Sequence, residues 1–84
     1  MKPTVIVTIQ AQGIEGGIDI EAPTDVPVKQ LAGDIAEQIN GYLGKDVLRG
    51  KGMTLRCERL NQRLQPDETF ARAGIWNGDI IWIQ

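Results

Sequence analysis

Apolar positions along this chain recur at every second residue, then at every third or fourth, then at every second again. TVIVTIQ, from Thr4 to Gln10, is β-branched and alternating, which predicts a strand with Val5, Val7 and Ile9 on one face and Ile6 on the other. AQGIEGG follows, with Gly13, Gly16 and Gly17 able to take positive φ, and GIDIEA then alternates with Ile18 and Ile20 inward. The two runs read as an antiparallel hairpin. In PTDVPVKQLAGDIAEQING the apolar residues Val28, Leu31, Ala32, Ile35, Ala36 and Ile39 fall at helical spacing, leaving Lys29, Gln30, Asp34, Glu37 and Gln38 outside. Pro27 suits the first helical turn, Asp25 suits the positive end of the dipole, and Gly41 is the expected terminator. Gly33 weakens the middle of the helix by ~1 kcal/mol relative to alanine.

YLGKDVLRGKG, Tyr42 to Gly52, reads as a mobile connecting loop, with Tyr42, Leu43, Val47 and Leu48 available to pin it. In MTLRCERL, Met53, Leu55 and Cys57 alternate with Thr54, Arg56 and Glu58, predicting a third strand with one polar face. A turn at Asn61-Gln62 leads to a short edge piece at Arg63-Leu64. Pro66 and Asp67 then make a turn, Thr69 caps a single helical turn closed by Gly74, and Phe70 and Ile75 plug the core. Asn77-Gly78 is a tight-turn signal before the last strand, IIWI. The order strand, strand, helix, strand, short strand, short helix, strand defines an α+β fold, a mixed sheet of four to five strands packed on one α-helix. The first and last strands are expected as its parallel centre.

IEAPTDVPVKQLAGDI before the helix and LNQRLQPDETFARAGIWNGDIIWI after it resemble the ubiquitin-like β-grasp fold over nearly the whole chain. The spacing of Leu64, Phe70, Ile75, Ile81 and Ile83 is similar to ubiquitin's core spacing, with the same Gly-Asp turn into the final strand. PTDVPVKQLAGDIAEQI and AGIWNGDIIWI most resemble the small bacterial YukD/EsaB proteins and the related cytosolic domain of type VII secretion membrane components. That resemblance implies a cytoplasmic accessory protein of the secretion machinery that binds rather than catalyses and is not covalently attached to targets. Its implied partner is a protein, either a membrane component of the secretion system or a second copy of itself.

With 84 residues, the chain is expected to form one domain, and 42% hydrophobic and 24% charged residues belong to a globular fold. A net charge of -2 argues against the basic footprint that nucleic acid or an anionic membrane surface requires. TVIVTIQ is too short and too interrupted for a signal or membrane-spanning segment, so neither export nor insertion is expected. A lone cysteine implies a fold that relies on its core, as in reducing compartments.

Candidate chemistry is sparse, and neither cofactor nor metal is expected. Cys57 sits mid-strand on the inward side of a chain with no histidine, which favours a core filler over a nucleophile. GKDVLRGKG, from Gly44 to Gly52, lacks the hydroxyl residue and spacing of a phosphate loop; a solvated loop is the plainer reading, with Lys45, Arg49 and Lys51 free to meet an acidic partner. Asp34 and Glu37 read as a solvated helix face, and Asp67 and Glu68 as turn chemistry. The alternative function, a ubiquitin-like modifier or sulfur carrier, is disfavoured because Gln84 stands where such carriers end in Gly-Gly.

One pattern carries a binding hypothesis. If Ile81 and Ile83 face the helix, Ile80 and Trp82 must face the opposite side, where Ile6 also points. Ile6, Ile80 and Trp82 then form an apolar partner surface with Arg56 and Glu58 as its polar margin. The plainer reading is that Trp82 and Ile6 merely cover each other. Glu58 replaces the apolar residue that ubiquitin carries on this face, so ubiquitin-binding modules are not the expected partners. Trp76 either extends the patch or shields the sheet end.

Overall fold

A computed structural model describes residues 3–49 and 52–84; Lys51, the last cation of the expected basic loop, lies outside the described residues. Two central strands organise the fold. β1 (Thr4–Gln10) pairs antiparallel with β2 (Ile18–Pro23) on one side and parallel with β5 (Ile80–Ile83) on the other. β5 in turn pairs antiparallel with β3 (Leu55–Cys57), which carries the two-residue β4 (Gln62–Arg63), giving the order β2-β1-β5-β3-β4. The helix α1 (Val28–Leu43) covers one face, and α2 (Phe70–Ala73) is a single turn. This is the expected α+β arrangement, with five strands.

Alternation decides which side chains meet the helix. Val5, Val7, Ile9, Ile81 and Ile83 are buried, as are Leu31, Ile35 and Ile39 of α1. Leu55, Cys57 and Phe70 are also fully enclosed, so Cys57 fills the core as its inward position required. The β1–β2 connection depends on Gly17, which has φ 74 and stands where a Cβ would lie 2.8 Å from both Gln10 and Thr8 side-chain atoms.

The helix ends differ from expectation. Pro27 is the N-cap rather than the first helical residue, which leaves Asp25 two residues before the cap and no acidic residue in the first turn. The orphan donors are met by main chain from a distant loop: Val28 N donates to Glu68 O at 2.8 Å and Lys29 N to Pro66 O at 3.0 Å. At the other end the helix runs through Gly41 to Leu43 and stops at Gly44, whose φ of 72 admits the left-handed turn. Tyr42 and Leu43 are therefore helical, not part of the loop.

The first part of the connecting loop is held by Asn40. Its Oδ1 accepts from Val47 N and Leu48 N, both at 2.9 Å, and its Nδ2 donates to Leu48 O at 2.7 Å. Leu48 is buried. The third strand is shorter than its alternation suggested, although Thr54 and Gln84 continue the ladder by exchanging two main-chain hydrogen bonds. The edge piece is Gln62–Arg63 instead of Arg63-Leu64, because Leu64 turns inward and is buried while donating to Leu55 O.

Candidate functional site

The helix-free face of the sheet is built by the outward residues of β1, β5 and β3. Strand register places Thr8 beside Ile80, and Trp82 between Gln10 on β1 and Arg56 on β3. Ile6 is 53% exposed, while Ile80 and Trp82 are half-buried on the side opposite the enclosed Ile81 and Ile83. All five sequence-selected residues thus lie on or beside one face.

Their spacing excludes mutual cover of Ile6 and Trp82. Trp82 is level with Gln10, four residues along β1 from Ile6, a separation of roughly 13 Å at the usual rise of a strand. The apolar residues form a diagonal, with Ile80 between the other two. Glu58 does more than margin the patch: its Oε1 accepts from Trp82 Nε1 at 3.2 Å, which fixes the indole against the sheet. Arg56 is tied to the Asn61 side chain, and Asn61 occupies the left-handed region at φ 51.

One end of this face is locked by a cluster that joins the expected Asn77-Gly78 turn to an ion pair, Arg59 with Asp79, that the sequence pattern did not single out. Asn77 and Gly78 make the expected turn, Asp79 N donating to Trp76 O at 3.1 Å, and Gly78 has φ 87. The turn then binds β1, since Asn77 Oδ1 accepts from Ile6 N and Gly78 N donates to Ile6 O, each at 2.8 Å. Asp79 is buried, and Arg59 engages both its oxygens, Nε to Oδ1 at 2.7 Å and one NH2 to Oδ2 at 2.9 Å. The same guanidinium donates to Gly74 O and lies 3.8 Å from the centre of the Trp76 ring. Trp76, 64% exposed, therefore roofs this ion pair at the sheet end.

The electrostatics follow from that geometry. The hydrogen bond from Arg59 holds the Asp79 carboxyl below the usual carboxylate range against the opposing effect of burial, helped by Trp76 N. Asp79 in turn raises Arg59. A bidentate pair like this is recognisable only in space, because Arg59 and Asp79 are separated by a strand, a turn and a short helix.

The other candidates are dispersed. Asp34 and Glu37 are exposed, Asp67 pairs with Lys29 at 3.1 Å on the surface, and Glu68 Oε1 accepts from Gln65 N within its own turn. Lys45 and Arg49 border an open hollow of about 620 Å³ with Gly33, Glu37, Asn40 and Asp46. Among the described residues, no group of three or more histidine, cysteine, aspartate or glutamate residues is placed to hold a metal ion. No described helix is long and apolar enough to cross a membrane.

The sheet order and single covering helix define a ubiquitin-like β-grasp protein. The family described as WXG100 protein secretion system (Wss), protein YukD, matches residues 4–83, and the chain belongs to it. Among solved structures, the EccD5 ubiquitin-like domain from Mycobacterium xenopi is 19% identical, covers 98% of this chain and 93% of its own, and has a TM-score of 0.77. The ubiquitin-like domain of the Mycobacterium tuberculosis type VII secretion protein ECCD1 is 18% identical over 96% of this chain and 97% of its own, with a TM-score of 0.73. A chain of the ESX-5 inner membrane complex matches at 20% identity and TM-score 0.74; the match spans 96% of this chain but 20% of that one. No curated protein sequence matches the chain. At such identities the structural likenesses establish the fold, and the family match establishes the association with type VII secretion.

Proposed function

We propose that this type VII secretion-associated ubiquitin-like module works in the cytoplasm as a non-catalytic, non-conjugated binding protein. Its 84 residues act as one domain, docking through the open sheet face onto a membrane component of the secretion system or a second copy of itself. The observation that carries this reading is the diagonal of Ile6, Ile80 and Trp82. Apolar side chains that alternation could have left polar are grouped on the face that no helix covers. Trp82 is oriented by Glu58, and an aromatic held in place loses little entropy when a partner covers it.

The test is the double variant Ile6→Ser, Trp82→Ser, assayed by thermal unfolding and by co-purification with the membrane component encoded for the same secretion system. A folded variant with at least tenfold weaker association supports the reading, since losing an aromatic anchor typically costs more than ~2 kcal/mol. Undiminished association by the folded variant refutes the site.

A further inference from the structure

Strand register sets four outward side chains in one row across the open face: Gln10 on β1, Trp82 on β5, Arg56 on β3 and Arg63 on β4. Arg56 and Arg63 are thus directly opposite in an antiparallel pair, where Cβ atoms lie about 5 Å apart and like charges repel. Among the described residues the ion pairs join Lys29 to Asp67 and Arg59 to Asp79, and neither arginine of the row is paired with a carboxylate. Arg56 gives one N–H to the neutral acceptor Asn61 Oδ1, and Arg63 is exposed. With the open face as the docking surface, a reading on which this inference rests, we propose that Arg56 and Arg63 form an anion site for carboxylates of a separate partner protein. The docking segment carries consecutive aspartate or glutamate residues next to an apolar one, its carboxylates bridging the two guanidiniums and its apolar side chain covering Trp82.

A cross-strand pair of like charges costs stability that a neutral residue at either position would spare. The carboxylates of the same face do not relieve it. Glu58 is committed to Trp82 Nε1 at 3.2 Å, while Asp19 and Glu21 of β2 accept from the hydroxyls of Thr8 and Thr4, each at 2.6 Å. A carboxylate from outside removes the repulsion, and each guanidinium presents a planar fork that takes a carboxylate through two parallel N–H···O bonds. Arg56 is already oriented for that role. Asn61, in the left-handed region at φ 51, turns its amide oxygen onto one NH2, so the side chain has less freedom to lose when an anion arrives.

The rest of the face decides what kind of anion fits. Trp82 adjoins Arg56 in the row, and Ile80 lies on the same side of β5, so the guanidiniums are flanked by apolar groups toward the sheet centre. At the opposite border, on β2, Asp19 and Glu21 are exposed. A phospholipid surface or a nucleic-acid backbone laid across this face would meet those carboxylates together with the arginines, on a chain whose net charge is -2. A short acidic run that ends in apolar side chains reaches the arginines and Trp82 without crossing to β2. A second copy would have to supply Asp19 and Glu21, which already hold threonine hydroxyls, so a separate protein is the better source.

Two capped hexapeptides test the site, one of three aspartates followed by three leucines and one with asparagine in place of each aspartate, titrated into the full isotope-labelled chain and followed by NMR. The aspartate peptide is expected to give saturable shifts over residues 54–57, 62–63 and 80–83, and the asparagine peptide to bind at least about tenfold more weakly. Arg63→Gln, at an exposed edge position where folding is not at stake, should weaken the aspartate peptide by about the same factor, and Arg63→Lys should recover only part of the loss because lysine offers no fork. In co-purification with the membrane component, Arg56→Gln, Arg63→Gln is expected to associate at least about tenfold more weakly than the parent. Association lost in Ile6→Ser, Trp82→Ser but kept in the double glutamine variant would overturn the anion site and leave the open face standing; association kept by both variants would overturn both. Absence of saturable shifts, equal affinity for the two peptides, full recovery by Arg63→Lys, phosphatidylglycerol vesicles binding as well as the aspartate peptide, or a dimer of the parent that Arg63→Gln dissolves would each overturn the assignment.

Discussion

Arg59 and Asp79 show how one residue pair can set a boundary of the candidate surface. Asp79 is buried, and its carboxylate is satisfied by a bidentate guanidinium and by Trp76 N at 2.7 Å. Its folded pKa is lowered, mainly by the hydrogen bond from Arg59. A lowered carboxylate adds stability above its unfolded pKa of about 4, and that contribution is lost as pH falls through the folded value. Asp79→Asn is therefore expected to melt below the parent at pH 7, with the difference shrinking as the pH is taken from about 5 to about 2. A gap that stays constant across that range would show that the charge on Asp79 is not what stabilises the turn. Trp82 is set differently, by its place in a strand and a single bond to Glu58, so its exposure should not follow pH through Asp79.

Elements were legible in proportion to how local their causes are. α1 announced itself by apolar spacing, and the short α2 by its cap, since Thr69 Oγ1 accepts from Arg72 N at 3.2 Å as that residue type at that position implied. The ends of α1 are less legible because its start is closed by the main chain of residues 66–68, far away in sequence, and because either Gly41 or Gly44 could finish it. Gly33 lies inside the helix, where a Cβ would meet no atom within 4 Å. Gly33→Ala is accordingly expected to stabilise the chain by about 1 kcal/mol, raising the melting temperature by roughly 4 to 8 °C for a domain of this size. A neutral or negative shift in chemical denaturation would mean that the flexibility of Gly33 is used in some other way. Asn40 was missed altogether: a polar residue near a helix end carries no signal that it will bind a loop seven and eight residues on.

At the scale of the molecule, the parallel pairing of β1 with β5 puts the most enclosed side chains in the middle of the sheet and brings Ile6, Ile80 and Trp82 onto its back. Cys57 belongs to that centre, with none of its surface exposed. Its thiol should react with an aromatic disulfide reagent only when the fold opens, so the native rate is expected to lie about a thousandfold or more below the rate in denaturant. A fast native reaction would show that β3 separates from β5 far more readily than a shared core allows.

The division between what was readable and what was not has one cause. Period-two and helical spacing fixed the strands, the helix and the inward row of each, because covalent geometry sets those directions residue by residue. The same geometry turns Ile6, Ile80 and Trp82 away from the helix. What only the tertiary structure decided was distance across strands: that Ile6 and Trp82 are four residues apart in register, that Glu58 reaches the indole, that Arg59 finds Asp79, and that β2 is left at an edge beside Tyr42. Register and edge position depend on how separate segments pair. No single segment encodes them.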